Sequence, residues 1–324
     1  MRKLNLGFIG CGKMARCHAA VVQALGHRIE AVVARPGSAH IDGFARSFGV
    51  EKKFDSLTGF IEELKRHPKQ YDALVISAAW DAQEGMISRL LSLKKPIFVE
   101  KPGVLSMTAL KKIKAKGGVK NLFVGYNRRY YDFMPRLKSM IAREGLVAVD
   151  ILSADPYTML IKMFGPKIKG HVLHYYTAHI IDTMFYLLGG LKIRQAAAVT
   201  QGGKKSWICQ LAAGKVPVQL KVIMDSPQNS HMKFFFKDKV VQLCPLEKMV
   251  VYDRIERIEQ NGRGIYQPGE SAQVMTDDSF KPGLLNQMKH FLEHFVIRKN
   301  SSNLYLKQIE DVTALCDALA KMRP

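Results

Sequence analysis

Cysteine is scarce and unpatterned. The five in this chain of 324 residues, Cys11, Cys17, Cys209, Cys244 and Cys316, are odd in number and nowhere spaced C-x-x-C, which argues against both a disulfide framework and a cysteine zinc site. No apolar stretch approaches the ~20 residues of a membrane span. A strand-like run begins within a few residues of Met1, leaving no room for a signal peptide, so the expectation is a cytoplasmic protein with no membrane partner. Acidic residues are also few: 28 Asp and Glu face 49 Lys and Arg, a net charge of +21. Such an excess suits nucleic acid or an anionic substrate. The lysines are spread along the chain, however, and the densest group, Lys111, Lys112, Lys114, Lys116 and Lys120, has no aromatic residues between its members. It reads as a solvated helix face, and no nucleic-acid partner is expected. With 47% hydrophobic and 24% charged residues the composition is that of an ordinary globular protein, long enough for two domains with two cores.

What the chain does have is a glycine-broken start, LNLGFIGCGKMARCH from Leu4 to His18. An apolar run ends in glycines where a helix can begin. Gly10 allows the tight turn, Gly12 lets the backbone approach a pyrophosphate, and Ala15 is small enough for the helix to pack on the strand. Cys11, Lys13 and Met14 complete the turn, and an anion would sit at the helix start near Lys13. A dinucleotide site is the reading. At the end of the second apolar run, IEAVVA, an acid would bind the ribose hydroxyls; here Arg35 follows Ala34, with Ser38 and His40 close behind. A guanidinium and a hydroxyl suit a phosphate monoester, so NADP(H) is favoured and NAD(H) is the alternative.

Strand-like and helix-like segments then alternate. Helices are expected over Ile41–Phe48, Ser56–Arg66 and Ala82–Leu93, and buried strands over Tyr71–Ser77 and Pro96–Glu100. This rhythm predicts a doubly wound parallel sheet of Rossmann type, α/β in class, whose ligand crevice lies at the carboxyl ends of the strands. Ser77, Ala78 and Ala79 on one loop and Glu100 and Lys101 on another would then face the crevice of Gly12. Trp80 would either stack on a cofactor ring or serve as a half-buried loop aromatic.

The segment FVEKP, ending at Pro102 and following the GFIGCGKMA turn, resembles the glucose-fructose oxidoreductase and inositol dehydrogenase family of NAD(P)-dependent oxidoreductases. GYNRRYYDFMP from Gly125, REGLVAVDIL from Arg143, and a segment with His179, Asp182 and LLGG add to the likeness, which covers roughly the first 190 residues in order. The resemblance implies that Lys101 binds both substrate hydroxyl and cofactor, that Glu100 holds the lysine end of the site, that Asn127 lies near the nicotinamide, and that Pro102 follows a cis peptide bond. It makes His179 the catalytic acid or base and Asp182 an orienting residue. Tyr175 stands where the family usually has aspartate, and on a regular helix Tyr175 and His179 would share a face. The implied activity is hydride transfer between NADP(H) and a secondary alcohol or ketone of a sugar, sugar derivative or polyol. A non-catalytic dinucleotide-binding regulator and an imine reductase are the alternatives.

From Val147 onward strand-like runs follow closely: Val147–Ser153, Arg194–Gln201, Ser206–Leu211, Val216–Met224, Met232–Phe236, Val240–Leu243 and Met249–Ile255. They predict a C-terminal α+β domain with a large, mostly antiparallel open sheet, one face left for pairing into a homodimer or homotetramer. Phe234, Phe235 and Phe236 imply burial on both faces of their strand. The expected boundary divides residues 1–124, which bind dinucleotide, from 125–324, which bind substrate and oligomerise. A long helix is expected over His171–Leu188 and a packing helix over Lys307–Met322. Two histidine groups could suggest a metal, His290, Glu293 and His294 as H-x-x-E-H and His171, His174 and His179, but the first fits an amphipathic run and the second lacks a carboxylate or cysteine partner. No metal is expected.

Overall fold

The computed structural model describes residues 2–117, 119–299 and 303–323; Met1 and Pro324, the outer bounds of the expected domains, lie outside them. The N-terminal part alternates strand and helix: β1 (Asn5–Ile9), α1 (Lys13–Ala24), β2 (Arg28–Val33), α2 (Ile41–Phe48), β3 (Lys52–Phe54), α3 (Leu57–Arg66), β4 (Ala73–Ile76), α4 (Gln83–Leu90), β5 (Ile97–Glu100), α5 (Met107–Ala115) and β6 (Leu122–Gly125). Serine begins two of the helices: Ser56 and Ser106 accept from the N–H groups of Gly59 and Ala109. On α5 the exposed Lys111, Lys112 and Lys114 flank buried Leu110 and Ile113, the solvated face expected of the lysine run. The strands lie parallel in the order β3-β2-β1-β4-β5-β6. Strand order reverses between β1 and β4, and ligands of open α/β sheets sit outside the carboxyl ends of the strands at such a point. Every residue of β4, β5 and β6 is buried, as helices on both sheet faces require.

The chain continues through α6 (Met134–Arg143), β7 (Leu146–Asp155), α7 (Tyr157–Phe164), α8 (Ala178–Leu188), β8 (Lys192–Gln201), β9 (Lys204–Ala213), β10 (Val216–Met224), β11 (His231–Phe236), β12 (Val240–Leu243), β13 (Lys248–Gln260) and β14 (Arg263–Met275). These strands form an eight-stranded sheet, β14-β13-β12-β11-β7-β10-β9-β8, antiparallel except for the pair β7 and β10. The fold is therefore α/β, a parallel Rossmann-type sheet plus a large, mostly antiparallel one. On β9 and β10 one face is buried, with Trp207, Cys209, Leu211, Val218, Leu220 and Val222 at alternate positions.

Four expectations change. The helix over His171–Leu188 is not regular: a 3₁₀ segment (Pro166–His171) leads into a π-helical turn (Leu173–Thr177), where the N–H of Ala178 bonds the carbonyl of Leu173 five residues back, before α8 begins. β13 runs on to Gln260, past the expected end at Ile255, and pairs with a further strand, β14, along its length. Phe234 and Phe236 are buried but Phe235 only half-buried, so that face of β11 is not closed. Finally, the chain enters the first unit twice. One compact unit is Met1–Tyr130 with Asp278–Asp317, the other Tyr131–Asp277 with Ala318–Pro324, where the sequence places a single cut near 125. The reason is packing: Leu284 and Met288 of α9 (Leu284–His290), with Phe291, Leu292 and Phe295 just beyond it, belong to the same core as Leu6, Phe8, Ala19 and Phe98. The last helix, α10 (Asn303–Ala320), buries Ile309, Val312, Leu315 and Leu319 as its periodicity predicts.

Candidate functional site

In the first unit the ends of five neighbouring strands, β2, β1, β4, β5 and β6, carry the residues singled out in sequence. The two glycines after β1 differ in what requires them. Gly10 has φ +109°, and a Cβ there would lie 2.2 Å from the carbonyl oxygen of Ser77, so turn and close strand approach both demand glycine. At Gly12, the N-cap of α1, φ is −77° and a Cβ would meet nothing within 4 Å. Nothing in the protein requires glycine there, but a ligand brought against the backbone would. No side chain caps α1 and no acid lies in its first turn, so the positive end of the helix is open to an anion. Lys13 is exposed, Met14 takes a contact from Lys281 Nζ to its sulfur at 3.3 Å, and Ala15 is fully buried.

Beside this turn, Ser77 donates its N–H to Ile9 (2.8 Å), and its buried hydroxyl has no protein partner. Ala78 and Ala79 follow, and Trp80 is buried rather than half-buried. Gly10 donates to Val33 (2.8 Å) at the end of β2, where Arg35 is exposed. The loop after β2 is tied back to the turn by a 3.4 Å contact between Ser38 Oγ and Cys11 Sγ. Arg35, Ser38 and the glycines thus share one end of the sheet. These groups fit a dinucleotide: an anion at α1, a backbone approach at Gly12, an unpartnered hydroxyl at Ser77 and a guanidinium at the strand end.

At the end of β5 stand Glu100 and Lys101, with Asn127 just past β6. The peptide bond between Lys101 and Pro102 is cis. Asn127, buried, donates to the carbonyl of Pro282 (2.8 Å). Burial alone would push the Glu100 carboxyl above the usual carboxylate range, yet the hydrogen bond and charge of His18 and the charges of Lys101 and Lys281 outweigh it and hold the group below that range. Burial pushes Lys101 down to about 7; Glu100 works against this, and Lys281 and Arg128 add to it. A lysine that loses its proton near neutrality can both bind an oxygen as a cation and exchange a proton with it.

Three contributors were not read from the sequence. Gln83 of α4 donates to Ala78 O (3.3 Å) and accepts from Gly103 N (2.9 Å), bridging the loops after β4 and β5. Lys281 comes from the late return of the chain. His18 lies on the buried face of α1 with Ala15, Ala19 and Val22, and a histidine on an apolar stripe was the available signal.

In the second unit, Tyr175 lies in the π turn and His179 in the first turn of α8, both half-buried; Asp182 is fully buried. The Tyr175 ring meets Phe164 edge-on at 5.0 Å. The turn is anchored from β7: Thr177 donates its hydroxyl to the buried Asp155 carboxylate, whose other oxygen accepts from Ser153 at 2.5 Å. Among the described residues no cluster of three metal-ligating side chains occurs. His290 of the H-x-x-E-H string instead bonds Tyr305 (2.6 Å) and stacks on His294.

Residues 4–126 match the model of the oxidoreductase family with an NAD-binding Rossmann fold. This N-terminal stretch, less than half of the chain, is of the Gfo/Idh/MocA type. No curated protein matches the chain significantly. Solved structures resemble it over nearly its full length. An oxidoreductase from Thermotoga maritima is 18% identical, covering 99% of this chain and 96% of its own, with a TM-score of 0.75. A 3-ketoreductase from Actinomadura kijaniata, in complex with NADP and TDP-benzene, is 15% identical, covering 98% and 97%, with a TM-score of 0.73. A levoglucosan dehydrogenase, in complex with NADH and L-sorbose, is 15% identical, covering 99% and 96%, with a TM-score of 0.72. At these identities the likeness is one of fold. No helix among the described residues is long and apolar enough to cross a membrane.

Proposed function

We propose that the protein is an NADP(H)-dependent oxidoreductase that interconverts a secondary alcohol and a ketone on a sugar, sugar derivative or polyol. The observation that carries this reading is the place of Lys101, at the carboxyl edge of the parallel sheet directly after β5, with its backbone N–H bonded to the Glu100 carboxylate. The dinucleotide, when bound, supplies or accepts the hydride. Gly10, Cys11, Gly12, Lys13, Met14 and Ala15 cradle its pyrophosphate, with Ser77, Ala78 and Ala79 alongside. Arg35 and Ser38 favour a 2′-phosphate, and Asn127 serves the nicotinamide end. Lys101, held by Glu100, binds and polarises the reacting oxygen, and His179, tuned by Tyr175, moves the proton. The family match supports the oxidoreductase class, while the L-sorbose bound to the levoglucosan dehydrogenase of similar fold supports the substrate class.

The exposed apolar residues Val199, Ile208, Ile255 and Tyr266 of the large sheet support a homodimer or homotetramer formed through its open face. Five free cysteines fit a reducing cytoplasm. One observation favours a second reading: Tyr175 in place of the family's aspartate suits a dinucleotide-binding regulator without turnover.

Loss of NADPH absorbance with a panel of keto-sugars separates the two. Turnover is expected with wild type, and Lys101→Ala should lower kcat by roughly 10²–10⁴-fold while NADPH affinity changes little. NADPH binding with no turnover across the panel would replace the enzyme with the regulator, and a variant within about tenfold of wild type would remove Lys101 from the chemistry.

A further inference from the structure

We infer that His18 is a positioning residue for the proposed reaction: its buried bond to Glu100 fixes, and keeps charged, the carboxylate that neighbours Lys101. This rests on the reading of Lys101 as the group that handles the substrate oxygen. His18 is fully buried on α1, only a few residues beyond the glycine turn, with its ring against the edge of Phe98 at 4.9 Å. Its Nε2 stands 2.6 Å from Glu100 Oε1. An ionised carboxylate only accepts, so Nε2 carries the hydrogen of that bond. The other oxygen, Oε2, accepts the backbone N–H of Lys101 at 3.1 Å. Both oxygens are therefore committed, one to the helix behind the pyrophosphate turn and one to the residue the carboxylate serves. Among the described residues Nδ1 of His18 has no partner, so the bond to Glu100 is the one polar tie they give this fully buried ring.

The consequence follows from charge. A buried carboxylate that loses its donor protonates more readily. Of the charges that act on Lys101, that of Glu100 favours the ammonium form, and those of Lys281 and Arg128 oppose it. Neutralising Glu100 removes a favourable charge and leaves the two opposing ones in place. The Lys101 proton then leaves at lower pH. His18 would set the protonation of Lys101 through one intermediary, Glu100.

The test measures Lys101 directly, in protein without dinucleotide. The pH midpoint of its acetylation by acetic anhydride is followed by peptide mass spectrometry in wild type, His18→Leu, His18→Gln, Glu100→Gln and the double variant His18→Leu/Glu100→Gln. The midpoint should fall by about one pH unit or more in His18→Leu, the scale expected when a neighbouring opposite charge is lost. His18→Gln keeps an N–H donor and should stay near wild type. Glu100→Gln should fall like His18→Leu, and the double variant should fall no further than Glu100→Gln alone. A folded His18→Leu with the wild-type midpoint makes His18 a packing residue and overturns the inference. Should His18→Leu not fold, an unchanged midpoint in Glu100→Gln overturns it instead. The acetylation midpoints need no substrate, so a wild type that never turns over NADPH would defeat the oxidoreductase reading while leaving this result intact.

Discussion

The glycine turn of the first unit and the π turn of the second both depart from regular geometry beside residues proposed to do chemistry, and they depart for different reasons. The turn after β1 is local. Gly10 and Gly12 are two residues apart, their permissive backbone is written in the residues themselves, and any reader of the sequence can place the bend. The π turn at Leu173–Thr177 has no such mark. Its anchor is Asp155, 22 residues before Thr177 in the chain, and the pattern HVLHYYTAHIIDTMFYLL looks like one continuous helix. A feature caused by neighbours in sequence is legible; one caused by a buried side chain on another strand is not.

The sharpest way to break the comparison is to separate the two glycines. Gly10→Ala puts a methyl group 2.2 Å from the Ser77 carbonyl at φ +109°, and should leave little folded protein, as followed by circular dichroism and soluble yield. Gly12→Ala meets open space at an ordinary φ and should melt with wild type, yet bind NADPH at least about tenfold more weakly in a fluorescence titration, since a single lost close approach at this scale is worth about 1.4 kcal/mol. Normal binding by Gly12→Ala would mean that the pyrophosphate lies elsewhere.

The second unit's half of the comparison rests on His179. His179→Ala should lower kcat by roughly 10²–10³-fold, within the range for a positioned proton-transfer group, whereas Tyr175→Phe should cost less than about tenfold. Tyr175 is packed edge-on against Phe164, a contact that phenylalanine keeps. If Tyr175→Phe proves the more damaging change, the tyrosine hydroxyl carries the proton. If neither matters, attention passes to the buried Asp182.

Most of the first sheet was readable because each of its signals is short-range: apolar runs for the buried strands, a periodic stripe for each helix, glycines at the turn. β3 escaped, being three residues with two lysines. The return of the chain at Asp278 escaped as well. Leu284–Val296 is visibly amphipathic, but nothing in an amphipathic stripe names the sheet it will cover. Likewise β14 carries Gly264, Pro268 and Gly269, turn residues by local rule, and is a strand because β13 pairs with it across a long hairpin. At the candidate site the FVEKP string pointed to Glu100 and Lys101, while the partner that completes them, His18, is 82 positions away and only the folded chain brings it there.

Arg35 offers a smaller and more specific test, on a region where local reading carries the whole proposal. The guanidinium is exposed at the end of β2, beside a Ser38 already held against Cys11. Wild type should use NADPH with higher kcat/KM than NADH, and Arg35→Asp should shift that ratio by about 10²-fold towards NADH, the sum of a charge-assisted bond lost and a repulsion gained. Equal efficiency with both cofactors in wild type would make Arg35 an ordinary surface residue.

The smallest effect asks whether the π turn really is imposed from β7. Thr177→Val keeps the shape of the side chain and removes the hydroxyl that Asp155 accepts; Ser153 still bonds the other oxygen, so the carboxylate is weakened and not abandoned. A hydrogen bond to a charged group is worth about 1.5–3 kcal/mol, and the surviving partner argues for the lower end. For a protein of this size that corresponds to a fall in Tm of roughly 2 °C, read by thermal denaturation. A Tm unchanged at neutral pH would show that the residues of the turn hold it without help from β7. The two irregular turns would then have the same kind of cause, and the contrast between them would be lost.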